Sequence, residues 1–198
     1  NEVRCLRFKK TVQTISYLPH FLSWVVLTGV VTNILSPSTG IINSILVKFG
    51  MQPIYFVADK NWFRPVLVLS SLWKEVGWSS IIYLAALSSV NSELYEAAML
   101  DGANRFKQTI HVTLPSITNV IVIMLIFAVG GIVNDDFDQI YNLYNPAVYS
   151  VGDVLGTYVY RVGLEGMQYS YSTAIGLFKN VIAFALILMT NYLSGKFS

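Results

Sequence analysis

Residues 95–115, "YEAAMLDGANRFKQTIHVTLP", form a polar interval between segments that are almost purely apolar. The interval mixes charged and small side chains and contains two helix breakers, Gly102 and Pro115. Glycine readily adopts the left-handed conformation that ends a helix, and proline is favoured in the first turn of a new one. The pattern predicts two short helices joined by Gly102, followed by a longer apolar helix that begins at Pro115.

The first of these short helices has a face of mostly small side chains, which another protein could approach closely. Ser92 is the expected N-cap, because serine is among the preferred capping residues. Leu94, Ala97 and Ala98 then lie on one face, since residues three and four apart are neighbours on a helix. Phe106 supplies a larger contact on the second helix. A helix laid into a groove is a recurring mode of recognition, although composition alone also allows an ordinary loop with local helix and no partner.

The composition is that of a membrane protein. The chain of 198 residues is 54% hydrophobic and 12% charged, whereas a soluble domain carries roughly 25% charged residues. The net charge of +2 provides no basic surface for a nucleic acid. The single cysteine, Cys5, excludes an internal disulfide and a cysteine metal cluster, and the two histidines, His20 and His111, are far apart. We therefore expect no metal site.

Four apolar segments are each able to supply the ~20 residues that cross a bilayer. They cover about residues 11–35, 64–89, 115–133 and 173–194. Backbone groups in lipid must be hydrogen-bonded within their own segment, so these spans are predicted to be helices. Pro19 lies inside the first span, where it is expected to kink the helix. The predicted fold class is an all-α membrane protein.

Four spans place the N-terminus, residues 90–114 and the C-terminus on one side of the membrane. Basic residues favour the cytosol for that side. They are Arg4, Arg7, Lys9, Lys10, Arg105 and Lys107. Three basic residues, Lys48, Lys60 and Arg64, would then lie outside. The sequence begins without a signal peptide pattern, and we interpret residues 1–198 as one partial domain that lacks its N-terminal helices.

The two connections on the outer side have helical periodicity. Residues 39–50 predict a short helix ended by Gly50, either in the membrane interface or packed as an ordinary loop. Residues 149–164 show the same spacing and are rich in tyrosine. An aromatic interface belt accounts for most of these tyrosines, and stacking on sugars for one or two. Arg161 and Glu165 could dock a binding protein or form a plain solvated surface.

The polar interval resembles the EAA motif of ABC-importer permease subunits. That motif has a glutamate and two alanines, then a glycine, then a leucine–proline pair at fixed spacing. The matching residues are Glu96, Ala97, Ala98, Gly102, Leu114 and Pro115. Val112 stands where isoleucine is usual. Residues 9–26, 143–164 and 171–178 are similar to the permeases of type I carbohydrate importers, particularly the LplB-like group, and the resemblance covers nearly the whole chain.

The resemblance implies a type I ABC-importer transmembrane domain (a MetI-like helical bundle), with residues 91–115 as a cytosolic coupling segment. In that family the segment is seated on an ATPase subunit. Carried over, Glu96 and Asp101 make polar contacts, and Ala97, Ala98 and Gly102 permit close approach. The predicted ATPase-coupling residues are Glu96, Ala97, Ala98, Asp101, Gly102, Arg105, Phe106, Leu114 and Pro115.

The resemblance also implies a set of partners. They are a second homologous permease, two ATPase subunits and an extracytoplasmic solute-binding protein in a bacterial cytoplasmic membrane, which the chain crosses several times. The chain lacks the G-x-x-x-x-G-K-[ST] phosphate loop. We therefore expect no enzyme activity and no bound cofactor, with ATP and magnesium held by the ATPase subunits. The implied solute is an oligosaccharide or a similar polyhydroxylated molecule, moved by alternating access.

Two charged residues, Lys74 and Glu75, lie in the second span. They are about ten residues, or ~15 Å of helix, beyond Arg64 and therefore near the midplane. Charges inside membranes are costly and usually functional. Adjacent residues on a helix do not face each other, so each needs another partner. A role in the solute pathway, together with Trp78, and a structural ion pair with another helix both remain open.

The second polar cluster, residues 134–138, closes the third span on the predicted outer side. Carboxylates and aromatic planes suit hydroxyl-rich sugars, because the former accept hydrogen bonds and the latter stack on ring faces. A solvated helix end or pairing between subunits is the alternative, and the spacing matches no EF-hand calcium loop. The predicted substrate-pathway residues are Ser71, Lys74, Glu75, Trp78, Asn134, Asp135, Asp136, Phe137 and Asp138.

Three rival functions fit less well. The first is a permease of the same architecture for a peptide or amino acid. The second is an ion-coupled secondary transporter that uses Lys74, Glu75 and the aspartates, but the sequence shows no internal inverted repeat. The third is a membrane scaffold, which would leave the buried charges unexplained.

Overall fold

The computed structural model describes residues 6–131 and 135–194, and within these ranges the secondary structure is helical. The α-helices of these ranges are α1 (Leu6–Tyr17), α2 (Trp24–Leu35), α3 (Ile41–Lys48), α4 (Lys60–Ser88), α5 (Ser92–Leu100), α6 (Arg105–Gln108), α7 (Leu114–Ser116), α8 (Thr118–Gly131), α9 (Phe137–Leu143), α10 (Tyr149–Gly152), α11 (Leu155–Tyr160) and α12 (Tyr169–Ser194). Short 3₁₀ turns occur at Leu18–Phe21 and Pro146–Val148, and π-helical turns at Thr109–Thr113 and Arg161–Glu165.

One described helix, Tyr169–Tyr192, is long and apolar enough to cross a membrane by itself, as predicted for the fourth span. Two bent pairs reach the same length and composition only if each pair counts as one span. The pairs are Arg7–Phe21 with Trp24–Leu35, bent by 111°, and Arg105–Ser116 with Thr118–Gly131, bent by 67°. By length and composition, the described residues therefore provide one span, or up to three.

The prediction of one kinked helix over residues 11–35 is wrong. Helix α1 ends at Tyr17, a 3₁₀ turn with Pro19 in its first turn follows, and α2 begins at Trp24. Proline lacks the N–H that would continue the helical ladder. Ser23 then caps α2, with its hydroxyl oxygen accepting from the Val26 N–H at 3.4 Å. A helix breaker and a capping residue four positions apart therefore give a full break rather than a kink.

The second and third predicted spans also differ in detail. Helix α4 is 29 residues long, or about 43 Å, but it is not among the helices apolar enough to count as a span. Its charged pair Lys74 and Glu75 lowers its hydropathy. The third span was predicted to begin at Pro115, whereas the structure ends α7 at Ser116 and begins α8 at Thr118.

The chain divides into two compact units. The first contains the described residues of Asn1–Trp78 and Asp135–Ile175, and the second those of Ser79–Asn134 and Gly176–Ser198. In the first unit, α2 packs against α3 and α9. Its buried hydrophobic cluster consists of Val31, Phe56, Val57, Phe63, Val66, Leu143 and Val148. The unit is therefore held by apolar contacts among α2, α4, α9 and their connections.

Helix α9 runs antiparallel to α4. The Asn145 amide, just after α9, donates to the Val57 carbonyl at 2.9 Å. The Gln139 amide, near the start of α9, donates to the Leu67 carbonyl at 2.7 Å and to the Ser70 hydroxyl at 2.8 Å. Residues at the start of α9 thus contact the middle of α4, and the residue just after α9 contacts the chain just before α4. The start of α9 therefore lies beside the middle of α4. The prediction that residues 134–138 face the outer side of the membrane stays a prediction.

The predicted helix in residues 39–50 is confirmed as α3. Gly50 follows it with a φ of +78°, the left-handed conformation that glycine permits. Asn43, which is fully buried, fixes α3 in place. Its amide donates to the carbonyls of Leu35 at 3.0 Å and Ile54 at 2.9 Å, and its Oδ1 accepts from the Ile54 N–H at 2.7 Å. A location in the membrane interface stays a prediction.

Candidate coupling segment and solute pathway

The segment predicted to couple to an ATPase begins with α5, and Asn91 caps that helix. Its Oδ1 accepts from the Glu93 N–H at 3.0 Å, and its backbone is extended (φ −62°, ψ 126°). The prediction of Ser92 as the N-cap is therefore wrong. Asparagine and serine are both preferred caps, so the sequence could not distinguish two neighbouring candidates.

The predicted break at Gly102 is confirmed. Gly102 has a φ of +74° and donates its N–H to the Met99 carbonyl at 3.0 Å. The Ala103 N–H bonds to the Ala98 carbonyl at 2.9 Å, which completes the helix end. Asn104 then caps α6, with its Oδ1 accepting from the Lys107 N–H at 2.9 Å. Glycine and the following cap together turn the chain from one short helix into the next.

Helix α5 folds against the π-helical turn that follows α6. The Tyr95 hydroxyl lies 2.9 Å from the Thr113 hydroxyl and joins the two elements. His111 Nδ1, in the turn, lies 3.0 Å from the Lys107 carbonyl of α6. Pro115 stands in the first turn of α7, as predicted. The segment is therefore a folded elbow and not an open loop.

A hollow of about 380 Å³ lies on the inner side of this elbow. Three residues predicted to couple, Ala97, Ala98 and Asp101, contribute to its wall. The complete lining is Leu94, Ala97, Ala98, Asp101, Ala103, Lys107, His111 and Val112. We define these residues as the coupling hollow. The hollow exists because the alanine side chains are small. The Asp101 carboxylate, the Lys107 ammonium and the His111 imidazole provide polar groups in its wall.

Other predicted coupling residues lie outside the coupling hollow. Glu96 is exposed on the face of α5 away from it, because positions two apart project in nearly opposite directions. Phe106 is 73% exposed, and Leu100, which sequence reasoning missed, is 90% exposed. Arg105, Gly102, Leu114 and Pro115 also do not line it. Exposed large apolar side chains beside a hollow are typical of a protein-binding surface.

In the first unit, Lys74 satisfies the backbone at the break between α1 and α2. Its side chain is buried, and Nζ donates to the carbonyls of His20 at 2.9 Å and Leu22 at 2.5 Å, and lies 3.4 Å from that of Pro19. Carbonyls at a helix end have no intrahelical partner. The ammonium therefore replaces the missing N–H donors, and it also lies 5.4 Å from the centre of the Trp24 ring.

Glu75 and Trp78 contact the same break through His20. Glu75 Oε2 lies 3.2 Å from His20 Nδ1, and the Glu75 side chain is 44% exposed. The Trp78 ring stacks on the imidazole with centroids 4.4 Å apart and planes 2° from parallel. Phe21 meets both rings edge-on, at 5.7 and 5.9 Å. The two charges predicted to need partners thus both find them at the break.

Gly77 allows the helices to approach this closely. A Cβ atom at Gly77 would collide with the backbone of Ser16 and Tyr17. Helices α4 and α1 therefore touch backbone to backbone. We name Lys74, Glu75, Gly77 and Trp78 the α4 clamp, because together they hold the break. A role of Lys74 in the solute pathway stays a prediction.

The acidic cluster lies at the start of α9. The sequence had suggested instead that it lies at the C-terminal end of the third span. Asp136 occupies the N-cap position and Asp138 the first turn, where the helix dipole favours negative charge. An Asp135 carboxylate oxygen accepts from the Gly156 N–H, and a side chain at Gly156 would collide with it. Partial burial, together with the charges of Glu75 and Asp135, raises the pKa of Asp136. Asn134 lies outside the described residues.

Phe137 begins a row of aromatic rings. Its ring stacks on Tyr141 with centroids 5.1 Å apart, and Tyr160 lies 5.4 Å from Phe137 and 4.9 Å from Tyr141. The Tyr141 hydroxyl donates to that of Tyr160 at 3.4 Å, and this hydrogen bond raises the pKa of Tyr141 to about 12. Tyr144 and Tyr149 extend the row. Ring faces beside hydroxyls and carboxylates suit a sugar.

Residues 8–198 match the protein family described as "Binding-protein-dependent transport system inner membrane component". The chain belongs to this family. It is 44% identical over 197 residues to "Protein LplB" and 45% identical to "Polygalacturonan/rhamnogalacturonan transport system permease protein YteP", both of Bacillus subtilis (strain 168). These matches cover 100% of this chain and 62% and 61% of the relatives, so the chain spans about three fifths of their length.

The fold of this family member also matches a solved structure. The crystal structure of a bacterial alginate ABC transporter in complex with an alginate pentasaccharide-bound periplasmic protein contains a chain with a TM-score of 0.95 and 43% identity. The match covers 99% of this chain and 68% of that one. The predicted fold class, an all-α type I ABC-importer transmembrane domain, is thereby confirmed.

The structure brings the predicted residues of this permease-family chain into two places. Ala97, Ala98 and Asp101 share the coupling hollow, and Lys74, Glu75 and Trp78 meet at the break between α1 and α2. Sequence reasoning missed Gln139 and Lys107. Gln139 stands in the polar stretch 135–142, where nothing in the sequence distinguished it. For Lys107 the signal was its spacing of four from His111.

Proposed function

We propose that the chain is a permease subunit of an ABC importer that moves an oligosaccharide or a similar polyhydroxylated solute across the bacterial cytoplasmic membrane. One observation carries the proposal. A chain of the binding-protein-dependent family folds its EAA-like segment into an elbow with a hollow lined by Ala97, Ala98 and Asp101. Such a surface suits a helix or loop of an ATPase subunit.

The elbow supports a mechanical role. Alanines leave room for the backbone of a partner, and Leu100 and Phe106 supply apolar contacts beside the hollow. When the ATPase subunits close on ATP, they draw the docked elbows together and the attached helices open the solute path outward. ATP hydrolysis belongs to those subunits, because this chain carries no phosphate-binding loop.

The proposed partners complete an importer. They are two ATPase subunits, a second homologous permease and an extracytoplasmic solute-binding protein. The family description names binding-protein-dependent transport, and the solved alginate transporter holds a periplasmic protein. A chain with one apolar helix and two bent helix pairs fits a multi-pass location in the cytoplasmic membrane.

The proposed sugar class is supported by the chemistry of the first unit. Five aromatic rings lie in contact, those of Phe137, Tyr141, Tyr144, Tyr149 and Tyr160. Asp136 and Asp138 flank Phe137 in the sequence. Aromatic faces stack on the apolar faces of sugar rings, and carboxylates accept hydrogen bonds from hydroxyls. YteP is named for the transport of polygalacturonan and rhamnogalacturonan, which agrees with a saccharide solute.

The test uses the full-length protein purified with its partner subunits and reconstituted in liposomes. Ala98→Trp fills the coupling hollow, and we expect it to remove the ATPase subunits from the purified complex and to abolish solute-stimulated ATP hydrolysis. Met99→Trp is the matched control, because Met99 lies on the same helix but does not line the hollow.

Uptake by the wild-type complex identifies the solute class. Neutral and acidic oligosaccharides are compared with short peptides and amino acids. ATPase subunits that stay bound and active with Ala98→Trp would refute the coupling assignment. Uptake of peptides without uptake of any saccharide would refute the sugar class.

A further inference from the structure

An apolar groove of about 580 Å³ runs along the first half of α4. The residues of α4 that line it define what we call the α4 groove, and they are Trp62, Pro65, Val66, Leu69, Ser70 and Trp73. They follow one another at spacings of three and one, so they form a single stripe along the helix. From Trp62 to Trp73 this stripe is about 16 Å long, close to half of the ~30 Å of hydrocarbon in a bilayer. The groove therefore has the length of one lipid leaflet.

Two other helices complete the walls of the α4 groove. Val31, Ile34 and Leu35 line it from α2, and Ile42 and Leu46 line it from α3. All three helices belong to the first compact unit. The α4 groove is therefore formed within one folded unit of this chain.

The lining of the α4 groove is apolar apart from one hydroxyl and two indole N–H groups. The hydroxyl is that of Ser70, which is buried, donates to the Val66 carbonyl at 2.7 Å and accepts from the Gln139 amide at 2.8 Å. A sugar or an extended peptide in the groove would leave its own polar groups without partners, which is costly. Leu69, in the middle of the stripe, is 65% exposed. The lining therefore suits a hydrocarbon chain that enters from the surroundings.

Two lysines stand at the ends of the connection between α3 and α4. Lys48 is the last residue of α3, and Lys60 is the first residue of α4. Each is two positions from a residue of the groove wall, Leu46 for the first and Trp62 for the second. Both lysines are exposed, and within the described part of the chain neither forms a hydrogen bond or an ion pair. Their ammonium groups are therefore available to an anion.

The chain between α2 and α4 carries an excess of positive charge. Residues 36–64 contain three basic residues and one acidic residue, Asp59. The Asp59 carboxylate caps α4, since its Oδ1 accepts from the N–H groups of Asn61 at 2.8 Å and Trp62 at 3.3 Å. The three basic residues are those that the positive-inside rule leaves unexplained on the predicted outer side. A bound anion gives them a role on either side of the membrane.

We propose that the α4 groove holds an acyl chain of an anionic phospholipid, whose phosphate is bound by Lys48 and Lys60. Lysine places its ammonium in the polar layer while its stem lies along apolar surface. An apolar helix of a neighbouring protein segment would also fit the groove, but it would leave the two ammonium groups without an anion. The inference goes beyond the proposed transport function and does not depend on the solute.

The experiment compares two photoreactive lipids that differ in headgroup charge. Phosphatidylglycerol and phosphatidylcholine carry the same diazirine-labelled acyl chain, and only the former has a net negative charge. Each is added in trace amount to phosphatidylcholine nanodiscs that hold the full-length complex, and the labelled residues are mapped by mass spectrometry. We expect phosphatidylglycerol to label Leu69 and other groove residues at least about threefold more, since each lysine near the membrane surface attracts anionic lipid.

Two double variants isolate the contribution of the lysines. In Lys48→Gln with Lys60→Gln the charges are removed, and the two lipids should label the groove equally. In Lys48→Arg with Lys60→Arg the charges are kept, and the preference for phosphatidylglycerol should remain. Both positions are exposed, so neither change should prevent folding.

A pair of tryptophan variants on α3 tests the location. Ile42→Trp narrows the α4 groove and should reduce labelling of Leu69 several-fold. Ile41→Trp is the matched control, because Ile41 is the neighbouring residue of α3 and does not line the groove. Labelling in this control should equal that of the wild type.

Each outcome decides the inference. Equal labelling of the wild-type groove by the two lipids overturns it, and so does a preference that survives removal of both lysine charges. A wild-type groove that neither lipid labels would show that a protein segment covers it, and would also overturn the inference. Equal labelling of Leu69 in Ile42→Trp and Ile41→Trp would place the lipid elsewhere. Solute uptake is measured separately, so none of these results decides the proposed function.

Discussion

The coupling elbow and the α4 clamp are built in opposite ways. In the elbow, the hydrogen bonds that end α5 and begin α6 join residues within five positions of each other, as from Ala103 to Ala98. In the clamp, Lys74 reaches the Leu22 carbonyl across 52 positions of sequence. A surface intended for another protein can be encoded locally, whereas a break inside a bundle depends on distant residues to satisfy its backbone.

The two regions also differ in their tolerance of change. The elbow exposes Leu100 and Phe106 and leaves a hollow in front of Ala98, so substitutions there have space. The clamp has none, because Gly77 lies against the backbone of α1. We expect variants of the clamp to affect folding and variants of the elbow to affect assembly with the ATPase.

The largest expected difference in stability is between alanine variants of two glycines, one in the clamp and one in the elbow. Gly77→Ala puts a methyl group into the backbone of Ser16 and Tyr17. We expect the complex to lose about 3 kcal/mol of stability, the upper end of the range for overpacking, since backbone cannot move aside easily. Gly102→Ala meets no atom within 4 Å but keeps a φ of +74°, which costs about 1–2 kcal/mol. Yield and thermal unfolding of the purified complex measure both.

Gly29→Ala is the control for this pair. Gly29 lies inside α2 and a Cβ there meets nothing within 4 Å, so alanine should be neutral or slightly stabilising. A Gly77→Ala complex that unfolds at the wild-type temperature would show that the close approach of α1 and α4 is not required.

A smaller difference in stability is expected between methionine variants of two lysines, one in the clamp and one in the elbow. Lys74→Met removes the ammonium that donates to the His20 and Leu22 carbonyls, and the expected loss is about 3 kcal/mol, the upper range for hydrogen bonds to a charged group. Lys107→Met, at an exposed position of the elbow, should change unfolding by less than about 0.5 kcal/mol. Protease cleavage near residues 18–23 provides a second measurement for the clamp.

Lys74→Arg tests whether a cation of different shape is sufficient. A guanidinium keeps the positive charge and the hydrogen-bond donors, so we expect Lys74→Arg to be more stable than Lys74→Met and less stable than the wild type. Equal stability of Lys74→Met and Lys107→Met would contradict the role of Lys74 at the break.

The smallest expected effect concerns the cap of α5. Asn91→Ala removes the acceptor of the Glu93 N–H and should destabilise the helix by about 1 kcal/mol. Ser92→Ala, one position later, should change the stability of this helix very little. Hydrogen–deuterium exchange of the first turn of α5 measures both effects. A larger effect of Ser92→Ala than of Asn91→Ala would show that Ser92 is the cap.

The elbow could be predicted from the sequence because its determinants are neighbours. Gly102 ends one helix, and Pro115 begins another, through steric rules that act within a few residues. The N-cap was misplaced by one position because Asn91 and Ser92 cap equally well. The hollow could not be predicted without the fold, since Lys107 and His111 come to line the same space as Ala97 only after the chain has turned.

The clamp could be predicted only in part. A charge at Lys74 or Glu75 in an apolar helix requires a partner, and the sequence indicated that need. It could not name the partners, because the carbonyls of residues 19–22 become available only when Pro19 breaks the first span completely. The contact of Gln139 with Ser70 was missed for the same reason, since it follows from the antiparallel course of α9.

The Lys74 contacts have a mechanical consequence. A single ammonium ion bonded to the carbonyls of His20 and Leu22 joins this break to α4 as one rigid unit. We expect any rearrangement driven from the cytosol to move these two parts together, so spin labels on either side of the joint should keep a constant separation throughout the transport cycle.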